Sequence, residues 1–225
     1  MKVKMGMFMT DARGKVGGHV VSKNRGGLYV RTKVTPTNAQ TIAQQAIRAI
    51  LGSLSQAWSQ LTSAQILSWN NAVDQWVGTN VFGDTIRPSG KSLYVQLNTV
   101  LSATGQTQID TAPVKIEMPI LGLLGATLDL SASSLILNAN ALSAGYIVAL
   151  NATSPQSLGT SYVRGRYRRI GFAPSEDTAT HNFYSDYVAK FGAVNIDSNI
   201  FVEAFIIAPN GQVTVLENVK VNITA

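Results

Sequence analysis

The sequence predicts an α+β protein with an extended N-terminal arm, a small helical domain and a C-terminal antiparallel β-sandwich of the immunoglobulin-like kind. Between positions 42 and 101, apolar residues recur every three or four positions, which is typical of helices with one buried face. From position 126 onward the spacing falls to about two, which is typical of strands. We therefore expect an arm over residues 1–36, a helical domain over 37–105, a linker over 106–125 and the β-sandwich over 126–225.

The arm is rich in glycine and basic residues and poor in large apolar ones, so it cannot build a core of its own. Segments 16–22 and 28–34 have the composition of short strands, and Gly26-Gly27 would supply the turn between them. We expect an extended arm or hairpin that becomes ordered on a partner.

Basic residues are concentrated at the N-terminal end. Positions 1–48 hold nine of the 18 Lys and Arg residues but a single acid, Asp11, so the rest of the chain is slightly acidic. A basic arm on a near-neutral body indicates an anionic partner, either nucleic acid or an acidic protein surface. The charged fraction of the whole chain is only 13%, which suits a surface that neighbouring subunits cover.

The first helix is predicted after Pro36, with Thr37 or Asn38 as its capping residue. We expect its apolar face to be buried, with the positions Ala43, Ile47, Ile50, Leu54, Trp58 and Leu61.

A second helix is predicted to start at the capping-box pattern of residues 62–65 and to end at Gly78. A third follows Ser89 and ends at Gly105. Three tryptophans lie on the apolar faces of these helices, and we interpret them as core residues: Trp58, Trp69 and Trp76.

The C-terminal half predicts five strands, and Pro209-Asn210-Gly211 predicts a hairpin turn because Asn-Gly readily adopts positive φ. The strands are expected over residues 127–138, 146–152, 161–172, 200–208 and 212–221.

The sequence offers little for catalysis. Without cysteine, thiolate chemistry and sulfur-ligated metals are excluded, and two histidines, His19 and His181, do not suffice for a multi-histidine site. Asp177, His181 and Asp186 are close in sequence, but we interpret their surroundings as a solvated, turn-rich loop. We expect no enzymatic activity, cofactor, metal, small-molecule substrate or membrane span.

Residues 87–92 resemble the end of a phosphate-binding loop at a helix start, but Thr85 stands where that motif requires glycine. An ordinary Pro-Ser helix start accounts for every residue of the segment. We therefore favour a helix start over a nucleotide site.

Arg164, Arg166 and Arg168 alternate along a predicted strand and would share one face. Such a stripe is a candidate anion-binding site, because guanidinium groups bind phosphate or carboxylate bidentately. We favour the alternatives, which are a solvated sheet face or pairing with Glu203 and Glu217 on neighbouring strands.

One stretch carries a resemblance to a known family. Residues 14–31 contain Gly-Lys-Val-Gly and then Asn-Arg-Gly-Gly-Leu-Tyr-Val-Arg, a pattern that continues with Val34, Pro36, Asn38, Thr41, Gln44 and Arg48. It resembles a module near the N-terminus of small virion proteins of tailed phages, including crAss-like phages. The family's helical hairpin is matched by Leu54, Trp58, Leu61, Thr62, Gln65 and Trp69.

The resemblance covers about residues 14–77, and Ala39 departs from it where the family commonly has proline. The C-terminal half is similar only as a generic β-sandwich of the sort that phages append to capsid and tail proteins.

The resemblance implies a non-enzymatic structural component of a virion assembled in the host cytoplasm, either a capsid auxiliary or a head-to-tail or tail protein. Its partners would be other virion proteins and copies of itself, and its arm would interlock with these neighbours. Alternatively, the arm binds nucleic acid through its cations. The expected subunit-interface residues are Lys15, Asn24, Arg25, Gly26, Gly27, Tyr29, Arg31 and Lys33.

Overall fold

The structure, a computed structural model, describes residues 11–123, 125–174, 180–194 and 197–224. It consists of two compact units, the first formed by residues 1–99 with 109–115 and the second by residues 100–108 with 116–225. Within the described residues both helices and a large, mostly antiparallel sheet are present, so the predicted α+β class is confirmed. The predicted linker, residues 106–125, is divided between the two units.

The arm forms a three-stranded antiparallel sheet in which β1 (Gly14–Val16) and β3 (Gly27–Thr32) flank β2 (His19–Asn24). The β2–β3 turn consists of Arg25 and Gly26, because Asn24 pairs directly with Gly27. The side chain of Asn24 accepts a 2.9 Å hydrogen bond from the Gly26 amide, and Gly27 has φ of 100°. The turn is thus one residue earlier than the predicted Gly26-Gly27 turn, and β1 is an additional strand.

Two capping boxes start the helical hairpin of the first unit. Helix α1 (Ile42–Gln60) is capped by Thr41 with Gln44, and α2 (Ser63–Ala72) by Thr62 with Gln65. The second box was predicted, but the cap of α1 was predicted wrongly at Thr37 or Asn38. Gln40, at φ of 48°, has a left-handed backbone that a helix starting at Thr37 or Asn38 could not contain.

The first unit continues with a 3₁₀ turn (Val73–Trp76), a short hairpin of β4 (Gly78–Thr79) with β5 (Thr85–Ile86), and α3 (Gly90–Ala103), of which residues 100–103 are assigned to the second unit. Its core contains Leu54, Trp69, Leu93, Tyr94 and Leu97. The rings of Trp58 and Trp69 each lie 5.3 Å from that of Tyr94. Trp69 is fully buried, as predicted, whereas Trp58 and Trp76 are half-buried at the edge of this core.

Segment 109–115 belongs to this unit because polar side chains of its helices bind the segment's backbone. The Asn98 side chain donates to the Ile109 carbonyl (3.1 Å) and accepts from the Ile109 amide (2.7 Å). Trp69 Nε1 donates to the Asp110 carbonyl at 2.8 Å. These bonds satisfy buried polar atoms, so the segment is part of the fold and not a free linker.

The elements between residues 125 and 224 that the structure describes are β6 (Gly125–Asp129), β7 (Ser134–Asn138), β8 (Ile147–Ala152), β9 (Arg168–Pro174), β10 (Thr180–Asn182), α4 (Tyr184–Phe191), β11 (Phe201–Ile207) and β12 (Glu217–Thr224). The strands form a seven-stranded sheet in the order β10-β7-β6-β12-β11-β8-β9. All neighbouring strands are antiparallel except β12 and β6, which are parallel.

Strand β12 joins the two parts of this sheet. Its first half, residues 217–220, pairs with β11, and its second half, residues 221–224, pairs with β6. One core contains side chains from both parts of the sheet: Leu128 and Leu137 from the β6–β7 part, and Leu150 and Val202 from the β8–β11 part. The two parts of the sheet therefore share this core, and a second, smaller buried cluster contains Ala149, Phe205 and Ile207.

Several strand predictions need correction. The strand predicted over 127–138 is a hairpin, because Asp129 accepts from the Ala132 amide (2.9 Å) and the chain turns before β7. The strand predicted over 161–172 begins only at Arg168, since Gly165 has φ of 89° and breaks the extended backbone. The Asn210-Gly211 turn is present, with the Gly211 amide donating to Ala208 (2.9 Å), but β12 starts only at Glu217.

Candidate functional site

The first candidate surface is a continuous exposed stretch in the first unit. Every residue from 31 to 49 is exposed, and we call this stretch the open segment. It consists of the end of β3, the connection to α1 and the first two turns of α1. Its large apolar side chains are exposed to solvent: Val34 by 66%, Ile42 by 87% and Ile47 by 48%.

The face of α1 that was predicted to be buried is therefore only partly covered. Of its six apolar positions Leu54 is buried, Ile50, Trp58 and Leu61 are half-buried, and Ala43 and Ile47 are exposed. The prediction was wrong for Ala43 and Ile47 because periodicity identifies the apolar face but not what lies on it. No described residue packs over the N-terminal half of the apolar face of α1.

The open segment carries cations but no acid: its charged residues are Arg31, Lys33 and Arg48. Arg48 is also the only charged residue of α1, and its Nη2 donates to Asn38 Oδ1 at 2.8 Å. Solvated helices usually carry charges of both signs on their outer face, so a nearly uncharged exposed helix is unusual.

The predicted interface residues of the arm lie at its surface. Lys15, Asn24, Arg25, Arg31 and Lys33 are exposed, and Gly26, Gly27 and Tyr29 are half-buried. Leu28 is the buried side chain among the described arm residues. The backbone of the arm is therefore hydrogen-bonded between its three strands, while most of the predicted interface side chains remain accessible to solvent.

Arg25 also lines a cavity of about 460 Å³ beside the start of α3, together with Arg87 and Ser89. Here Ser89 caps the helix, because its Oγ accepts from the Ser92 amide at 3.2 Å. Arg87 forms an ion pair with Asp74, and the Asn70 side chain lies directly against Gly90. The helix start is thus occupied by the protein's own groups, in agreement with an ordinary cap.

The three predicted anion-binding arginines do not form a stripe, because residues 161–167 are a loop and not a strand. Arg166 donates to the Gln156 side chain, and Arg168 Nη1 donates to the carbonyls of Gly165 (3.0 Å) and Tyr167 (2.8 Å). Arg164 alone keeps a guanidinium group that makes no hydrogen bond or ion pair with another described residue.

Pairing of these arginines with Glu203 or Glu217 is not observed among the described residues. Glu217 instead accepts from the amides of Gly122 (3.2 Å) and Leu123 (2.7 Å). Glu203 accepts from Asn151 Nδ2 (2.8 Å), whose Oδ1 accepts from Arg169 Nε (2.7 Å).

Arg164 lines a cleft of about 840 Å³ between the 161–167 loop and strands β11 and β12. Lys220 of β12 lies on the same wall as its direct neighbour in β11, Phe201. Sequence reasoning missed Lys220, because the loop that brings it near Arg164 leaves no periodic signal in the sequence.

The solvated, turn-rich loop expected around Asp177, His181 and Asp186 is wrong for the two of them that the structure describes. His181 is buried in β10 and Asp186 lies in the first turn of α4, while Asp177 lies outside the described residues. Burial lowers the pKa of His181, so this imidazole is neutral near neutral pH. The described residues contain no cluster of three or more metal-ligating side chains, and none of their helices has both the length and the apolar character needed to cross a bilayer.

No protein-family model and no curated protein sequence matches this chain. Among solved structures, it is similar to a Fn3-like protein from Clostridium thermocellum. The two sequences are 17% identical, the match covers 46% of this chain and 90% of that one, and the TM-score is 0.30.

Proposed function

We propose that this chain is a non-enzymatic structural component of a phage virion, either a capsid auxiliary or a head-to-tail or tail protein, whose basic arm interlocks with neighbouring subunits. The observation that carries the proposal is the open segment, residues 31–49, in which no residue is covered. An apolar helix face that extends beyond its own core is what a partner surface requires. The neighbours are other virion proteins and further copies of this chain.

Energetics favour a protein partner for this surface. Covering an exposed isoleucine side chain contributes roughly 1.5–3 kcal/mol, and Ile42 and Ile47 are both available on α1. The only charge of α1 is Arg48, so a contact between two copies through this helix brings together one pair of exposed like charges, which salt screens. An isologous contact between copies is therefore compatible with the composition of the helix.

The second unit is, on this proposal, an immunoglobulin-like β-sandwich that spaces or decorates the assembly. Two features support this finer description: both parts of the seven-stranded sheet share one core, and β12 passes from one part to the other.

The test is the oligomeric state of the full chain in solution, measured by size-exclusion chromatography with light scattering over a concentration series. We expect concentration-dependent association that is lost in the double variant Ile42→Gln/Ile47→Gln. Leu67→Gln is the matched control, because Leu67 is an apolar side chain of α2 that is 59% exposed outside the open segment. A wild-type chain that stays monomeric throughout, or a control that dissociates equally, would contradict the proposal.

Nucleic-acid binding is the second candidate, and the exposed arm cations Lys15, Lys23, Arg25, Arg31 and Lys33 favour it. This function predicts affinity for a DNA duplex that falls steeply with salt, with a slope close to the number of phosphates contacted. It assigns no role to Ile42 and Ile47. Binding that is unchanged in the isoleucine double variant but abolished by Arg31→Gln/Lys33→Gln would favour it over subunit interlocking.

A further inference from the structure

The cleft of the second unit is built from one loop over one sheet edge. The 161–167 loop forms one wall, and the facing sides of β11 and β12 form the floor and the other wall. Val163, which is 7% exposed, fixes the loop to the unit, and the half-buried Phe201 forms part of an apolar floor. A volume of about 840 Å³ lies within the range of pockets that hold small molecules.

Two cations that line the cleft have no partner within the described part of the chain. Neither Arg164 nor Lys220 makes a hydrogen bond or an ion pair with any residue in the described part of the chain, whereas the neighbouring Arg166, Arg168 and Arg169 are all engaged. Both free cations line the same cavity. Two unpaired cations that line one cavity raise its potential and attract an anion.

Among the described residues that line the cleft, Glu203 is the one acid, and it offsets only part of this charge. Its carboxylate is linked through Asn151 to Arg169, which is held between the rings of Phe172 (4.9 Å) and Phe205 (4.7 Å). Arg169 is not among the lining residues, and it offsets part of the Glu203 charge from outside the cleft. Burial and the Glu203 charge together raise the pKa of Tyr167 on the cleft wall. Arg164 and Lys220 against Glu203 leave one positive charge in excess among the described lining residues.

From this geometry we infer that the cleft binds a small organic anion, with its carboxylate or phosphate group on Arg164 and Lys220 and its apolar body on Phe201 and Leu216. The planar guanidinium of Arg164 suits a bidentate contact, and the ammonium of Lys220 supplies a point charge. Half-exposed Leu216 completes the apolar surface beside Phe201. This ligand site is independent of the subunit-interlocking surface of the first unit.

The test is a titration of the ¹⁵N-labelled full chain with four probes: benzoate, phenyl phosphate, inorganic phosphate and the neutral benzyl alcohol. Benzoate and phenyl phosphate are expected to shift the amide resonances of residues 161–167 and 217–220. Benzyl alcohol and inorganic phosphate should each bind about tenfold more weakly, since one lacks the charge and the other the apolar body. The tighter of the two aromatic anions identifies the preferred head group.

Two variants separate the cleft from general surface charge. Arg164→Gln and Lys220→Gln should each weaken benzoate or phenyl phosphate binding by about fivefold or more. Lys190→Gln is the control, because Lys190 is an exposed lysine of α4 outside the cleft and its replacement changes the net charge equally. Absence of shifts in these amides, equal binding of benzyl alcohol, or equal losses in the control would overturn the inference.

Discussion

His181 combines an ionisable ring with a buried position. It is 6% exposed, its Nε2 has no hydrogen-bond partner among the described residues, and its ring lies 6.4 Å from that of Phe183. A charged imidazole would lose its hydration here without gaining a partner, so burial lowers the pKa of His181. His181 is thus packed as a small planar group of the interior.

This burial predicts a pH-dependent stability. The pKa of His181 in the folded state lies below the value of about 6.5 in an unfolded chain. The stability that the buried, neutral imidazole contributes is therefore fully present above that pH, and it is lost as the pH falls below it. We expect His181→Gln to be less stable than wild type near pH 7.5 but to lose less melting temperature on acidification. The slope from this group is at most about 1.4 kcal/mol per pH unit.

His19→Gln is the control for this measurement, because His19 is exposed in β2. Its thermal unfolding should follow the wild-type pH dependence, measured by far-ultraviolet circular dichroism. If His181→Gln retains the full wild-type acid sensitivity, the buried histidine is not its source.

Tyr187 gives a second test at the level of one side chain. It is fully buried on α4, and its hydroxyl donates to the Thr153 carbonyl at 2.9 Å. Tyr187→Phe leaves that carbonyl without this partner and should lower the free energy of unfolding by about 1 kcal/mol. Tyr162→Phe, at a residue that is 73% exposed, should change it by less than about 0.5 kcal/mol. Equal effects of the two variants in urea denaturation would contradict the burial described here.

At the level of elements, the helices were largely predictable and their environment was not. Capping boxes and apolar periodicity act within a few residues of the chain, so α2 and α3 could be located from sequence alone. The exposure of Ile47 depends on what packs against α1, which periodicity does not contain. Helix α4 was missed, although Tyr184, Tyr187, Val188 and Phe191 have helical spacing, because the surrounding polar residues favoured a loop.

The same distinction applies to the sites. Arg164 was predicted as an anion-binding residue, but its neighbours Arg166 and Arg168 are occupied by local hydrogen bonds. Their strand pattern was interrupted by a single glycine, Gly165, at positive φ. Lys220 lines the cleft because the 161–167 loop lies over the β11–β12 pair, and one sequence without homologues does not indicate where such a loop lies.

The capping box of α2 predicts a measurable difference between two threonines. Thr62→Ala removes the acceptor of the Gln65 amide (3.3 Å) and should destabilise the first unit by about 1 kcal/mol. Thr37→Ala, at the cap that the sequence suggested for α1 but the structure does not use, should have little effect. Tryptophan fluorescence during urea unfolding reports this comparison, because all three tryptophans belong to the first unit. A loss in Thr37→Ala as large as in Thr62→Ala would contradict the observed helix starts.

At the scale of the whole molecule, basic residues, exposed apolar surface and buried core are unevenly distributed between the two units. The basic arm and the open segment belong to the first unit, whereas the largest core and the anion-binding cleft belong to the second. On the proposed function, the first unit holds neighbouring subunits together. The second unit has a core of its own, which its seven-stranded sheet and α4 enclose.

The open segment also predicts how the chain is attacked by proteases. Arg31, Lys33 and Arg48 are exposed trypsin sites within one uncovered stretch. We expect limited trypsin digestion of the dilute chain to cut there before it cuts the second unit, because local exposure controls early cleavage. Mass spectrometry of the first fragments checks this, and initial cleavage at Arg168 or Lys220 would count against it.

The most direct measurement of subunit interlocking uses the absence of cysteine from the chain. Ala43→Cys places one thiol on the open segment, and Ala64→Cys places a matched thiol on the exposed side of α2. Maleimide labelling of the full-length variants is followed from dilute to concentrated protein. Subunit interlocking predicts that position 43 becomes protected by about tenfold or more as the chain associates, while position 64 continues to react freely. Equal labelling of both positions at every concentration would contradict it.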